Sequence, residues 1–112
     1  MEQQTNTSTP SERMRQLQQM LEKTPDDTFL LYGIGMEHKK AGDLARAIEF
    51  LDRTIQADPG YCYAYYQRGQ VLEFTGDEAG AKQSYRAGID AAAKKGDAHA
   101  AGELQAALDL LG

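Results

Sequence analysis

Few side chains in this 112-residue chain could carry chemistry. They are two histidines (His38 and His99), one cysteine (Cys62), an adjacent carboxylate pair (Asp26 and Asp27), and a run of tyrosines in Tyr61-Cys62-Tyr63-Ala64-Tyr65-Tyr66. A zinc site needs three or four closely spaced Cys or His ligands, and His38, Cys62 and His99 form no such cluster. A single cysteine also excludes an internal disulfide. No serine stands in a nucleophile elbow, and no glycine-rich motif could cradle a phosphate. Asp26 and Asp27 precede a helical pattern, where carboxylates cap the helix and complement its dipole. His38 falls on a core-side position and is expected to pack there with its hydrogen bonds satisfied; His99 opens the last helix as a surface or packing residue. These residues predict a protein that is not an enzyme and that holds no cofactor and no metal.

The tyrosines suit contact rather than catalysis, because a tyrosine offers a large apolar ring with a polar tip. Composition narrows the possible partners. The net charge is −5 with acids and bases interspersed, which argues against nucleic acid and anionic lipid. The longest apolar run, 29–36, is broken by Gly33 and Gly35 and is too short to span a bilayer. Residues 1–10 have neither a basic start nor an apolar stretch, so no secretory signal is read there, and a cytoplasmic setting is expected.

The elements that must position these residues read as helices. Residues 1–8 are expected to be a disordered tail, with Thr9 as the first cap and a single domain over 9–112. Met14, Leu17, Met20 and Leu21 recur at helical spacing, followed by Leu31, Ile34, Gly35 and His38, then by Leu44, Ala47, Ile48, Leu51 and Ile55. Tyr65, Gly69 and Leu72 share a face, as do Ala81, Tyr85 and Ile89, and Ala101, Leu104, Leu108 and Leu111 form a last stripe. Breaks fall near Pro25, Gly42, Pro59, Gly76 and Gly96. No segment alternates with a period of two. The expectation is all-α, about six helices and no strand.

A shift of 34 residues superimposes the pattern on itself. Tyr32 meets Tyr66, Gly35 meets Gly69, Gly42-Asp43 meets Gly76-Asp77, Ala47 meets Ala81, Ile55 meets Ile89 and Pro25 meets Pro59. With this punctuation the chain resembles the tetratricopeptide repeat family. The first repeat supplies Leu31, Ile34, Gly35, His38, Gly42, Ala47, Leu51, Thr54 and Pro59, and the second Tyr65, Arg68, Gly69, Leu72, Gly76, Ala81, Tyr85, Gly88 and Ala93. The resemblance implies a right-handed superhelix of antiparallel helix pairs: a half repeat or N-terminal capping helix at 9–24, repeats at 25–58 and 59–95, and a C-terminal capping helix at 96–112. Arg68 departs from the usual leucine and must snorkel or find a partner. Ala93 replaces the closing proline, so that helix is expected to run on to Lys95. Gly69 is expected where two helix backbones nearly touch, with Leu31, Leu51, Tyr65 and Tyr85 filling the space beside the small residues.

The resemblance also implies a function, a non-catalytic adaptor that binds a peptide or protein segment in a concave groove. Carried over position by position, the groove residues are Phe29, Tyr32, Met36, Lys39, Lys40, Tyr63, Tyr66, Gln70, Glu73 and Phe74. Some family members clamp a partner's C-terminal carboxylate with polar residues, but Tyr32, Met36, Tyr66 and Gln70 stand at several of those positions, which disfavours that version. The competing readings are a structural homodimer joined through the same aromatic face and coverage of that face by the last helix.

Overall fold

The computed structural model describes residues 10–112, so the tail expected at 1–8 and the Thr9 cap lie outside the described residues. Six helices follow one another: α1 (Pro10–Lys23), α2 (Thr28–Ala41), α3 (Leu44–Ala57), α4 (Cys62–Phe74), α5 (Glu78–Lys95) and α6 (Ala98–Leu110). No strand occurs among the described residues. Each helix packs on the next as antiparallel pairs, most extensively α2 on α3 and α4 on α5.

Aspartates start the helices. Asp27, Asp43, Asp77 and Asp97 each accept a hydrogen bond from the backbone N–H three residues on, at 2.9–3.2 Å. Each such cap contributes about 1 kcal/mol. Tyr61 stands at the start of α4 without a side-chain cap, while Asp58 instead accepts from Gly60 N at 3.0 Å and shapes the preceding turn. Gly42 ends α2 with φ 84°, a backbone only glycine adopts without strain; its left-handed turn lets Asp43 N donate to His38 O at 2.9 Å. The turns thus come from the sequence positions that announced them.

The apolar core is serial rather than central. Leu17, Leu31, Ile34 and Phe50 join α1, α2 and α3; Ala47, Leu51, Ala64 and Val71 join α3 and α4; Tyr85, Ala92, Leu104 and Ala107 belong to the cluster of α4, α5 and α6. Such stacking is the physics of a repeat array, in which no pair buries its apolar face alone. Arg68 finds its partner in Asp52 of α3, with Nε to Oδ1 at 2.6 Å, and α5 does run to Lys95.

Three expectations are corrected. Gly69 faces the ring of Tyr85, not a backbone: a Cβ there would sit 2.7 Å from Tyr85 Cζ. Tyr65 is only half-buried, whereas Leu31, Leu51 and Tyr85 are sealed; its hydroxyl reaches out to the turn before α4 and donates to Pro59 O at 2.6 Å, which holds the ring at the edge of the core. His38 does pack, with its ring 5.5 Å from that of Phe50, but its Nε2 is buried without a hydrogen-bond partner.

Candidate functional site

The ten sequence-predicted residues divide between three places along α2 and α4. Lys39, Gln70, Glu73 and Phe74 come together around an open cavity of about 360 Å³ at the C-terminal ends of the two helices. Lys39 Nζ crosses from α2 to donate to Gln67 Oε1 at 2.5 Å and to Gln70 Oε1 at 3.2 Å, both on α4. Burial pushes this ammonium below the ordinary lysine value, because a half-desolvated cation favours its neutral form. Lys39 forms no ion pair among the described residues. Glu73 accepts a hydrogen bond from the Tyr85 hydroxyl. Phe74 stands 81% exposed at the rim.

Aromatic residues occupy the middle of this face. Tyr32 is half-buried with its ring 5.0 Å from that of Tyr61, and burial raises its phenol first, with Tyr61 adding to the effect. Tyr66 is also half-buried, 6.0 Å from the ring of Tyr85, and its hydroxyl accepts from Gln70 Nε2 at 3.3 Å. Tyr66 therefore belongs partly to the core, and the sequence spacing alone had placed it on an open face. Met36 is half-buried and Lys40 exposed. Phe29, at the start of α2, is 72% exposed.

Tyr63 links this face to the last helix. Its hydroxyl donates to Glu103 Oε1 of α6 at 2.8 Å, and that bond to a carboxylate holds the phenol up to about 12. This is the one hydrogen bond between α6 and the ten residues. The cavity beside Lys39 stays uncovered by α6.

Two residues of this face escaped sequence reasoning. Gln67 shares Lys39 with Gln70 and lies three positions before it, one helical turn away, so helical spacing could have found it. Glu103 could not be found from spacing, because its pairing with Tyr63 spans 40 positions. His99 is exposed, with Nε2 3.6 Å from Glu103. Cys62 is buried, its thiol donating to Gly60 O at 3.4 Å, and burial pushes the thiol up, away from the reactive thiolate. Among the described residues no group of three or more His, Cys, Asp or Glu could hold a metal ion, and no helix is long and apolar enough to cross a membrane.

An array of antiparallel helix pairs whose sequence pattern repeats every 34 residues, with several aromatic residues along α2 and α4, defines a helical-repeat protein. The tetratricopeptide repeat model matches residues 30–61 and 63–95, and the chain belongs to that family. It is 38% identical over 88 residues to a TPR repeat-containing protein of Pseudomonas aeruginosa, covering 79% of this chain and 84% of that one. Among solved structures it resembles a protein from Bordetella parapertussis, with 31% identity, TM-score 0.76, and 88% and 85% of the two chains covered. It also superimposes on the type III secretion translocator chaperone SycD of Yersinia enterocolitica with TM-score 0.83, covering 95% and 74% of the two chains. At 14% identity that last likeness concerns the fold alone. Domains of this family generally bind proteins, and no catalytic family is indicated.

Proposed function

We propose that the protein is a cytoplasmic, non-catalytic adaptor whose α2–α4 face binds a segment of a partner protein. One observation carries the reading: the Lys39 ammonium is held by two amide oxygens and no carboxylate, beside the exposed ring of Phe74. A half-buried cation with a donor to spare favours an anionic group, and an exposed aromatic ring favours apolar area. The segment that fits both is an apolar residue near an aspartate or glutamate. Lys40 adds to the positive balance of this end, while Glu73, occupied by Tyr85, sets a negative limit to it. Phe29, Tyr32, Met36, Tyr63 and Tyr66 extend the contact surface.

A displayed library of random peptides tests this. Enriched peptides should combine an apolar and an acidic residue and should weaken by about 1–3 kcal/mol against Lys39→Gln and against Phe74→Ala. Equal binding to the double variant would sink the reading. The competing homodimer is favoured by the two exposed rings of Phe29 and Phe74; a sedimentation coefficient that rises with concentration, and stops rising in Phe74→Ala, would establish it instead.

A further inference from the structure

The lysines of this chain stand in unlike settings. Lys23, Lys40 and Lys94 are exposed, Lys82 pairs with Glu78 at 3.3 Å, and the exposed Lys95 donates to Gly60 O at 3.0 Å. Lys39 is half-buried, and no carboxylate among the described residues pairs with its nitrogen.

The two first helices of the repeats build its setting. The Lys39 stem leaves α2 and crosses to α4, where Nζ donates to Gln67 Oε1 at 2.5 Å and to Gln70 Oε1 at 3.2 Å. Both acceptors are neutral amides, which return less than a carboxylate would of the hydration that an ammonium gives up on burial. Burial accordingly pushes Lys39 below the ordinary lysine value. Valence points the same way. An ammonium has three N–H donors, whereas a neutral amine has two donors and a lone pair. Two acceptors satisfy the neutral amine in full and leave its lone pair free, but they leave the ammonium one donor short of a protein partner. The nitrogen is also within reach of a small molecule, because Lys39 lines an open cavity of about 360 Å³ with Gln70, Glu73 and Phe74. Glu73, the one acid of that lining, accepts from the Tyr85 hydroxyl and forms no ion pair with Lys39.

We propose that Lys39 is a modification site, the amine of this chain that takes up an acyl group from an activated acyl donor, an acyl phosphate or a thioester. The Nζ lone pair attacks the carbonyl carbon of the donor and forms the C–N bond. The bond from that carbon to phosphate oxygen or thiol sulfur breaks with its electron pair on the leaving group. The surplus amine proton passes to solvent, and an amide remains. That amide keeps a single N–H, so it can no longer serve both Gln67 and Gln70, and its charge is gone. Acylation thereby removes one of the two hydrogen bonds that tie α2 to α4 through this residue. On the function proposed above it also removes the cation that attracts an acidic segment, although the reactivity itself does not depend on that function.

The full chain is treated with limiting acetyl phosphate, and in a second arm with acetyl-CoA. It is then unfolded and saturated with deuterated acetic anhydride, and mass spectrometry reads the acetyl isotope ratio at each lysine. Lys40, exposed and next in sequence, is the internal reference. Lys39 should react at least about threefold faster than Lys40 in the folded chain, and the preference should vanish in concentrated urea. A preference with one donor only assigns the site to that donor. Gln67→Glu keeps the acceptor oxygen but sets a carboxylate against the nitrogen, which favours the ammonium; Lys39 should then slow about three- to tenfold with Lys40 unchanged. Should that variant fold poorly, Gln70→Glu brings the same charge from the next turn of α4. A Lys39 rate equal to or below that of Lys40 with both donors, a preference that survives in urea, or no slowing with the new carboxylate would each overturn the proposal. Peptide binding by Lys39→Gln is a separate readout, and its failure leaves this preference standing.

Discussion

Gly69→Ala is the sharpest test of how the second repeat is held together. A methyl group ordinarily stabilises a helix relative to glycine by about 0.5–1 kcal/mol. At position 69 the new Cβ would lie 2.7–2.8 Å from Cζ and Cδ1 of Tyr85, well inside contact distance. The ring cannot easily swing away. It is fully buried, its hydroxyl donates to Glu73, and the Tyr66 ring lies 6.0 Å off. Overpacking of this kind costs about 1–3 kcal/mol, which outweighs the helix gain, so we expect a net loss of about 1–2 kcal/mol. Urea melts at constant m-value and thermal melts should both register it, the latter at roughly 4 °C per kcal/mol for a chain of this size. The decisive measurement is the double-mutant cycle with Tyr85→Leu. Without the ring, Gly69→Ala should become neutral or stabilising by up to about 1 kcal/mol. If the substitution costs the same in both backgrounds, to within about 0.5 kcal/mol, the clash with Tyr85 is not what position 69 responds to.

Leu104, fully buried against Gly88, should lose about 2–4 kcal/mol on truncation to alanine; removal of 97–112 should go further and abolish cooperative unfolding, and a truncated monomer with unchanged melting would contradict the role given to α6. Phe74→Ala should alter stability by less than about 0.5 kcal/mol, since the ring is exposed, so a large shift in its urea melt would place Phe74 in the fold instead. The phenols of Tyr32, Tyr61, Tyr63, Tyr65 and Tyr85 are all raised above their ordinary value of 10.0. Above pH 10 the unfolded chain therefore gives up these protons first, and stability complete below that pH should fall as pH rises toward about 12, the folded value of Tyr63. A urea midpoint that holds constant from pH 9 to pH 11.5 would contradict this.

Sequence alone determined the helices, their ends and the repeat. Those features are local: aspartate caps, the left-handed glycine at 42 and apolar spacing at 3.6 residues per turn act within a few residues of themselves. The 34-residue register and the family followed from the same signals. Tertiary structure alone decided which neighbour each face meets. Helical spacing gave Tyr65, Tyr66 and Tyr85 apolar faces, but packing sealed Tyr85, left Tyr65 on the floor of an outer cavity and divided Tyr66 between core and surface. It placed a ring rather than a backbone against Gly69, and it gave Lys39 the oxygens of Gln67 and Gln70. Periodicity fixes the direction of a side chain relative to its own helix axis, whereas its partner depends on how far the adjacent helices stand apart. That separation is set jointly by positions such as Gly88, where the missing side chain leaves room for Tyr65 and Leu104, residues far from it in the sequence.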